Sequence, residues 1–188
     1  MRRATEILRN EHDAILRMLD ATEEVAQRLG RRERVEPQVL ANLMEFFRLF
    51  ADHCHHGKEE DLLFPLLEKK GMPRGGGPIG VMLMEHDHGR GFIRQMALEA
   101  EPHAGGNADA GVRWAAAAIQ YVGLLREHIA KENQVLFVMA ERMLSNTEQL
   151  ELAEAFEKVE IEKMGAGTHE RLHAMMEKLL AELAPVSR

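Results

Sequence analysis

Four stretches of the chain carry apolar residues at spacings of three and four, and histidine interrupts each of these apolar stripes. Such spacing places side chains on one face of an α-helix. No segment alternates apolar and polar residues with a period of two over a useful length, so the pattern argues against an extensive sheet. The chain is therefore predicted to bury four helical faces against one another, with imidazole rings inside.

Glycine and proline divide the chain into helical blocks. The predicted helices cover about 4–29, 37–70, 78–101 and 109–144, followed by two shorter ones at about 146–164 and 168–183. Short connections favour antiparallel neighbours. The predicted fold class is all-α, an antiparallel up-down-up-down four-helix bundle over residues 1–144. Additional C-terminal helices over residues 145–188 form an extension that packs on the bundle.

Charge and composition narrow the classes of function. The 188 residues suit one domain with a core, and the formal net charge of -7 argues against binding to nucleic acid or to an anionic membrane. A single cysteine, Cys54, excludes a disulfide framework and a thiolate-rich metal site. The N-terminus lacks the apolar core of a signal peptide and no stretch is long enough to span a bilayer, so the expected location is cytoplasmic.

Two of the stripes contain histidine followed four residues later by glutamate. Residues four apart project in nearly the same direction, and ionised carboxylates are almost never buried without a partner. Four imidazoles and two carboxylates in one dry core require compensation, which a pair of divalent cations supplies. The candidate metal ligands are His12, His56, Glu60, His86, His128 and Glu132.

The residue types also indicate which metals fit. Two bridging carboxylates and two histidines per ion give about four protein ligands each, which leaves coordination positions open. Mixed nitrogen and oxygen ligation of this kind suits iron, and zinc or manganese would also bind. The predicted cofactor is a pair of iron ions, bridged by an oxygen species, with room for a small exogenous ligand.

The same residues resemble the hemerythrin-like, or HHE cation-binding, family. The motifs that carry the resemblance are Glu11-His12, the stretch HHGKEEDLLFP from His55 to Pro65, Glu85-His86, and EHIAKE from Glu127 to Glu132. The resemblance covers about residues 4–144. It implies that His12 and His56 hold one iron, that His86 and His128 hold the other, and that Glu60 and Glu132 bridge them.

Two departures move the expected function away from oxygen carriage. Oxygen-carrying hemerythrins have a second histidine where this chain has Arg90, and they end with His-x-x-x-x-Asp where this chain has His128-x-x-x-Glu132. The resemblance is closer to relatives that act in iron–sulfur cluster repair, in nitric oxide or peroxide responses, and in iron or oxygen sensing.

Three functions follow as hypotheses. The first is a non-haem di-iron protein that binds or senses O2, NO or peroxide in oxidative or nitrosative stress or iron homeostasis. The second is a redox enzyme that breaks down peroxide, reduces nitric oxide or repairs iron–sulfur clusters, and the third is a structural or storage bundle. The expected partners are a small diatomic or peroxide ligand, a redox partner that the sequence does not identify and, as an open alternative, a second copy of the chain in a homodimer.

Several residues near the stripes receive their own predictions. His53 is an extra ligand, a support for a ligand or a core residue, with the last two favoured, and His55 is expected to be solvated or interfacial. Tyr121 either packs in the core or donates a hydrogen bond to a ligand on the metals, with packing favoured. Cys54 is predicted to be a small core residue without special reactivity.

Two further metal motifs are weaker. His169-Glu170-Arg171-Leu172-His173 matches the zincin pattern, but without an obvious third ligand it is better explained by a helix that packs on the bundle. Glu85-x-x-His88 and Glu170-x-x-His173 fit a ferritin-like pattern. We discount this pattern because His88 lies roughly opposite His86 on its helix.

Overall fold

The computed structural model describes residues 2–183, and residues 184–188, at the end of the predicted extension, lie outside the described residues. Six helices follow one another: α1 (Ala4–Gly30), α2 (residues 37–69), α3 (Pro78–Ala104), α4 (residues 108–143), α5 (Asn146–Met164) and α6 (Thr168–Leu183). Between residues 2 and 183 no strand occurs. The prediction of an all-α four-helix bundle with additional C-terminal helices is confirmed.

The helix boundaries follow from local sequence signals. Pro37 and Pro78 occupy the first turns of α2 and α3, where a missing backbone N–H costs little. Ser145 caps α5 in a reciprocal capping box with Glu148. Helix α3 passes through Pro102 and ends later than predicted, because a proline in the last turn forfeits one hydrogen bond without unwinding the helix.

Two of the bundle helices are not regular α-helices along their whole length. The π-helical segments are Phe47–His56 and Glu59–Leu63 within α2, and Glu132–Leu136 within α4. Hydrogen bonds from i to i+5 widen these turns, so the residues that face the core no longer follow the spacing of an α-helix. Residues 54–59 are consequently all buried in succession.

Two apolar clusters fill the core. One is built around Trp114, Phe46 and Phe50 and includes Leu172 and Met176 of α6. The other has Phe64 and Phe137 at its centre and includes Leu152 and Phe156 of α5. Because α5 and α6 share these clusters with the bundle, they are packed against it, and the division of the chain at residue 144 stays a prediction.

Within residues 2–183, none of the helices combines the length and the apolar character that crossing a bilayer would require.

Candidate metal centre

Buried histidines and glutamates meet between the two apolar clusters, where α1, α2, α3 and α4 face one another. Seven side chains take part: His12, His55, His56, Glu59, His86, His128 and Glu132. They fall into overlapping groups in which all candidate ligand atoms lie within 4.8 Å of one another. We call His12 and His55 the first histidine set, and His56, His86 and His128 the second.

The carboxylate of Glu59 lies between the two histidine sets. Its Oε1 atom is 3.7 Å from Nε2 of His55, one turn earlier on the same helix. Its Oε2 atom is 3.5 Å from Nε2 of His86 on α3. The two oxygens of one carboxylate therefore face different sets, which is the arrangement needed to bridge two cations.

Glu132 has the same position on the opposite side of the centre. Its Oε2 atom is 3.1 Å from Nε2 of His12 in the first set. Its Oε1 atom is 3.3 Å from Nε2 of His128 in the second set. With Glu59, it gives the centre two buried carboxylates that are shared between both histidine sets.

Six donor atoms of this centre are left without hydrogen bonds, which fits a pair of metal ions. Among the described residues, these buried atoms without a partner are Nε2 of His12 and of His55, and both carboxylate oxygens of Glu59 and of Glu132. An unsatisfied buried polar atom costs free energy, and an unpaired buried carboxylate costs far more. Bound cations would satisfy all of these atoms at once.

The structure places Glu60 outside this group, contrary to the sequence prediction. Its side chain is 23% exposed, and its Oε1 atom accepts hydrogen bonds from Nδ1 of His86 and from the guanidinium of Arg90. Glu59 takes the inner position instead. The structure thus brings the other member of this adjacent glutamate pair to the centre.

His55 is also misplaced in the sequence analysis, which expected it to be solvated or interfacial. The ring is 1% exposed and belongs to the first set, while His56 lies in the second set and not beside His12. Both errors come from the π-helical turns of α2, which shift the buried face relative to a regular α-helix. The sequence does contain a signal for His55 and Glu59. The segment 55–59 matches the segment 128–132, because each has histidine at its first position, lysine at its fourth and glutamate at its fifth.

A carboxylate on a neighbouring helix orients one ring of each set. Nδ1 of His55 lies 2.8 Å from Oε2 of Glu11, and the ammonium of Lys58 donates to the other oxygen of Glu11. The hydrogen bond at Nδ1 fixes the tautomer and leaves Nε2 to face the centre. Lys58 also donates to Oε2 of Glu160 on α5, at 2.9 Å.

The second set has a matching arrangement. Nδ1 of His128 lies 2.9 Å from Oε2 of Glu85, and Lys131 donates to the other oxygen of Glu85. His12 differs in that its Nδ1 atom faces the side-chain oxygen of Asn133 at 3.0 Å. Each of these rings therefore has Nδ1 held and turns Nε2 toward the centre, where Nε2 of His128 lies 3.1 Å from Nε2 of His86.

Arg90 ties together two carboxylates beside the second set. Its guanidinium donates to Asp52 at 2.8 Å and to Glu60 at 2.7 Å. Asp52 lies 3.5 Å from Nδ1 of His56, and the His56 ring stacks on His86 with centroids 3.8 Å apart. Where the oxygen carriers place a histidine, this chain thus has an arginine that supports two other rings.

Burial and neighbouring charges set the protonation of the centre. Burial lowers the pKa of His55 to about 4 and that of His56 to about 3, so both rings are neutral at neutral pH. Burial and the charge of Glu132 hold the pKa of Glu59 well above its usual range. Burial opposes ionisation of His128, but the charges of Glu132 and Glu85 and the hydrogen bonds to both together outweigh it and raise the pKa of His128 to about 9. A metal ion must therefore displace protons from Glu59 and His128.

The remaining predicted residues lie around the centre. His53 is exposed, so it is neither a core residue nor a support for a ligand. Tyr121 is buried edge-on against Phe47, with ring centroids 5.0 Å apart. Cys54 is buried, and burial raises the pKa of its thiol to about 12, which fits the prediction of an unreactive core residue.

The weaker motifs have packing roles. The rings of His169 and His173 both contact Phe50, with centroids 5.3 Å from it, so the zincin-like segment packs on the bundle. His169 also joins Glu11 and Glu160 in a group of candidate ligands, but Lys58 already neutralises both carboxylates. His88 is exposed, which removes the ferritin-like alternative.

Comparison with known families agrees with this geometry. Residues 3–140 match the model of the hemerythrin HHE cation binding domain. The chain belongs to this family, whose description names a cation-binding domain.

Individual relatives share 26–38% of their residues with the aligned part of this chain. An uncharacterised protein of Mycobacterium tuberculosis strain H37Rv is 26% identical over 162 residues, which cover 86% of this chain and 63% of that protein. The iron-sulfur cluster repair protein YtfE of Enterobacter sp. strain 638 is 36% identical over 92 residues, 46% of this chain and 40% of its own length. The iron-sulfur cluster repair protein DnrN of Neisseria gonorrhoeae is 38% identical over 86 residues, 44% of this chain and 54% of its own. The chain spans less than two thirds of each of these relatives.

Proposed function

We propose that the chain is a non-haem di-iron protein that binds or senses O2, NO or peroxide. One observation carries the proposal: each of two buried glutamates turns its two oxygens toward different histidine sets, and all four oxygens lack hydrogen bonds. Carboxylates in this state need cations on both sides. Imidazole and carboxylate ligands together suit iron better than calcium or magnesium, which prefer oxygen alone.

The proposed ligand set differs from the one predicted from the sequence. One ion would be held by His12 and His55, the other by His56, His86 and His128, and Glu59 and Glu132 would be shared. Bound iron would supply electrons and a coordination position for a small ligand. The unequal numbers of histidines suggest that the ion beside His12 and His55 has the more open coordination.

Metal analysis of protein purified without oxygen tests the ligand set. We expect two irons per chain in the wild type. Glu59→Gln should lose at least half of the iron, because an amide supplies only one neutral oxygen donor, whereas Glu60→Gln should keep close to two. Equal iron contents in the two variants would contradict the assignment, and iron-free protein containing one zinc would contradict the di-iron proposal.

Gas titration tests the role of the centre. The reduced, iron-loaded chain should develop a new visible absorption band with at least one of oxygen and nitric oxide. Absence of a band with both gases would reject sensing and favour a structural or storage role. Sustained turnover of peroxide that disappears in Glu132→Ala would instead assign the chain as a redox enzyme.

Iron–sulfur cluster repair is a second candidate, because two relatives carry that name and each matches a little under half of this chain. The test is recovery of activity in a [4Fe–4S] enzyme damaged by peroxide. Recovery with the iron-loaded wild type, and none with Glu59→Gln, would support repair. Equal recovery with free ferrous iron at the same concentration would argue against it.

A further inference from the structure

Helix α3 carries apolar side chains on two roughly opposite faces. The inner face is buried in the core, where Met82 and Met96 belong to the two apolar clusters. The outer face is exposed and carries Val81, Met84 and Leu98. A surface helix normally has one apolar stripe opposite a polar face, so a second apolar stripe indicates a surface that another molecule covers.

The exposed apolar residues of the chain are concentrated on this helix. Among the described residues, six large apolar side chains are exposed, and three of them are Val81, Met84 and Leu98. Leu98 is the most exposed of the six, at 74%. Single apolar residues on a protein surface are normal, whereas a row of them along one helix face is typical of an interface.

The outer face of α3 has the spacing of a coiled-coil seam. Steps of three and four residues alternate along it, through Val81, Met84, His88, Gly91, Gln95 and Leu98. All six positions are exposed except Gly91, which is half-buried, and the helix has no π-helical turn between Pro78 and Ala104. A seam with a repeat of about 3.5 residues stays on one side of its helix and packs along an equivalent seam of a second helix. We call these six residues the α3 seam.

Two copies of the α3 seam fit each other when the helices run antiparallel. The layers of such a pair would join Val81 with Leu98, Met84 with Gln95, and His88 with Gly91, each in both directions. Contacts that occur in both directions define an interface with two-fold symmetry. A parallel pair would instead stack each residue on its own copy, which places two His88 rings together and leaves a gap between two copies of Gly91.

The charges beside the α3 seam are complementary in the same orientation. Asp87 and Arg94 lie on one edge of the seam, each one position before a seam residue. The Asp87 side chain is 77% exposed and contacts Arg90 of its own helix at 3.2 Å. Arg94 is exposed and forms no ion pair within residues 2–183. Antiparallel pairing brings this edge of one helix beside the same edge of the other, so Asp87 of each copy lies beside Arg94 of the other copy.

We propose that the chain forms a homodimer in which the α3 seams of two copies pack antiparallel, flanked by two ion pairs between Asp87 and Arg94. Apolar layers at the two ends of the seam supply the contact, and the ion pairs fix its orientation. His86 lies on the inner face of α3, about one helical turn from the midpoint of the seam. The candidate metal centres of the two copies therefore lie on either side of this interface.

The first experiment measures self-association of the full-length chain, as purified, by sedimentation at increasing protein concentration. The wild type should sediment as a dimer. Leu98→Ser should weaken the dimer about tenfold or more, because it removes an apolar contact from both ends of the seam. Ile161→Ser is the matched control, since Ile161 is also an exposed apolar residue but lies on α5, and it should leave the dimer unchanged. Circular dichroism establishes that both variants fold.

The second experiment reverses the charges at the edge of the seam. Asp87→Arg and Arg94→Asp should each weaken the homodimer about tenfold or more, because each variant replaces two attractive contacts with two repulsive ones. An equal mixture of the two variants should form heterodimers with an affinity close to that of the wild type, since every positive edge then meets a negative one. Native mass spectrometry distinguishes these heterodimers from either homodimer by mass.

Three outcomes would overturn the proposed dimer. A wild type that stays monomeric at every concentration would leave the α3 seam to a different occupant, such as another protein. A dimer that tolerates Leu98→Ser would be formed through another surface. A dimer that tolerates both charge reversals, or variants that do not combine into heterodimers, would exclude the antiparallel pairing. None of these results bears on the di-iron proposal, which the iron content of the chain tests separately.

Discussion

The two halves of the metal centre have the same motif in different surroundings. In each half, one helix carries Glu-His and its partner carries His-x-x-Lys-Glu: Glu11, His12, His55, Lys58 and Glu59 in one half, and Glu85, His86, His128, Lys131 and Glu132 in the other. The glutamate before the first histidine holds the ring across the bundle, and the lysine holds that glutamate.

The surroundings of the lysines differ. The Lys58 side chain is 1% exposed and contacts a second carboxylate, Glu160 of α5. Lys131 is 40% exposed, and within the described residues its ion pair is with Glu85 alone. Both glutamates are buried, so the difference lies in the lysines: α5 encloses Lys58 in a buried network, whereas Lys131 remains in contact with water. The contribution of an ion pair to stability depends on its burial. Water screens the charge of Lys131 in its pair with Glu85, but it does not screen the charge of Lys58 in its pair with Glu11.

The largest expected effect comes from removing each lysine in turn. Lys58→Met leaves the carboxylate of Glu11 buried without its cation and should lower the free energy of unfolding by about 3–5 kcal/mol. Lys131→Met should lower it by less than about 1 kcal/mol, because water reaches the Lys131 end of that pair. Chemical denaturation of the metal-free chains measures both values. Equal losses would show that the two halves are energetically alike despite their different exposure.

The pH dependence of stability gives the next largest effect. Burial alone would raise the pKa of Glu11, but the hydrogen bond from His55 and the charge of Lys58 lower it to about 2, from 4.5 in the unfolded chain. This difference stabilises the fold by roughly 3 kcal/mol above pH 4.5, and the contribution is lost as the pH falls through 2.

Comparing the wild type with Glu11→Gln and Glu85→Gln measures the contribution of Glu11 to stability. Between pH 5 and pH 2 the metal-free wild type should lose roughly 3 kcal/mol more stability than Glu11→Gln, which cannot titrate at this position. The wild type should differ less from Glu85→Gln, because solvent reaches the Lys131 end of that pair. Parallel acid profiles for the wild type and Glu11→Gln would refute the role of the buried network.

The smallest expected effect on stability comes from removing the ion pair between Lys58 and Glu160, which joins α2 to α5. Glu160→Gln removes one charge-assisted hydrogen bond to Lys58 at a side chain that is 28% exposed, so we expect a loss of about 1 kcal/mol. Glu157→Gln, on the exposed face of the same helix, should change the stability by less than about 0.5 kcal/mol. Thermal unfolding of the two variants is sufficient, and a loss of the same size in both would remove Glu160 from the network.

The positions of the helices could be predicted from the sequence, because apolar spacing marks a helix and proline, glycine and serine mark its ends, and all of these signals are local. The spacing also predicts that His12, His86 and His128 meet, and the structure brings these three residues of regular α-helix to one buried centre, together with Glu132 at the start of a π-helical segment. It failed at Glu59 and His55, where the π-helical turns of α2 shift the inward face by one residue. The same shift appears in α4: Val135 continues the spacing of three and four from His128 and Glu132 but is 48% exposed, whereas Leu136 is 1% exposed.

The shared carboxylates have a consequence for how the centre fills. Because Glu59 and Glu132 each face both histidine sets, an ion that binds to one set orders two ligands of the other. Two sites that hold ligands in common are thermodynamically linked, and here the first ion prepares the second site. Chains given half the metal that they can hold should therefore separate, in native mass spectrometry, into empty and doubly filled molecules with few singly filled ones.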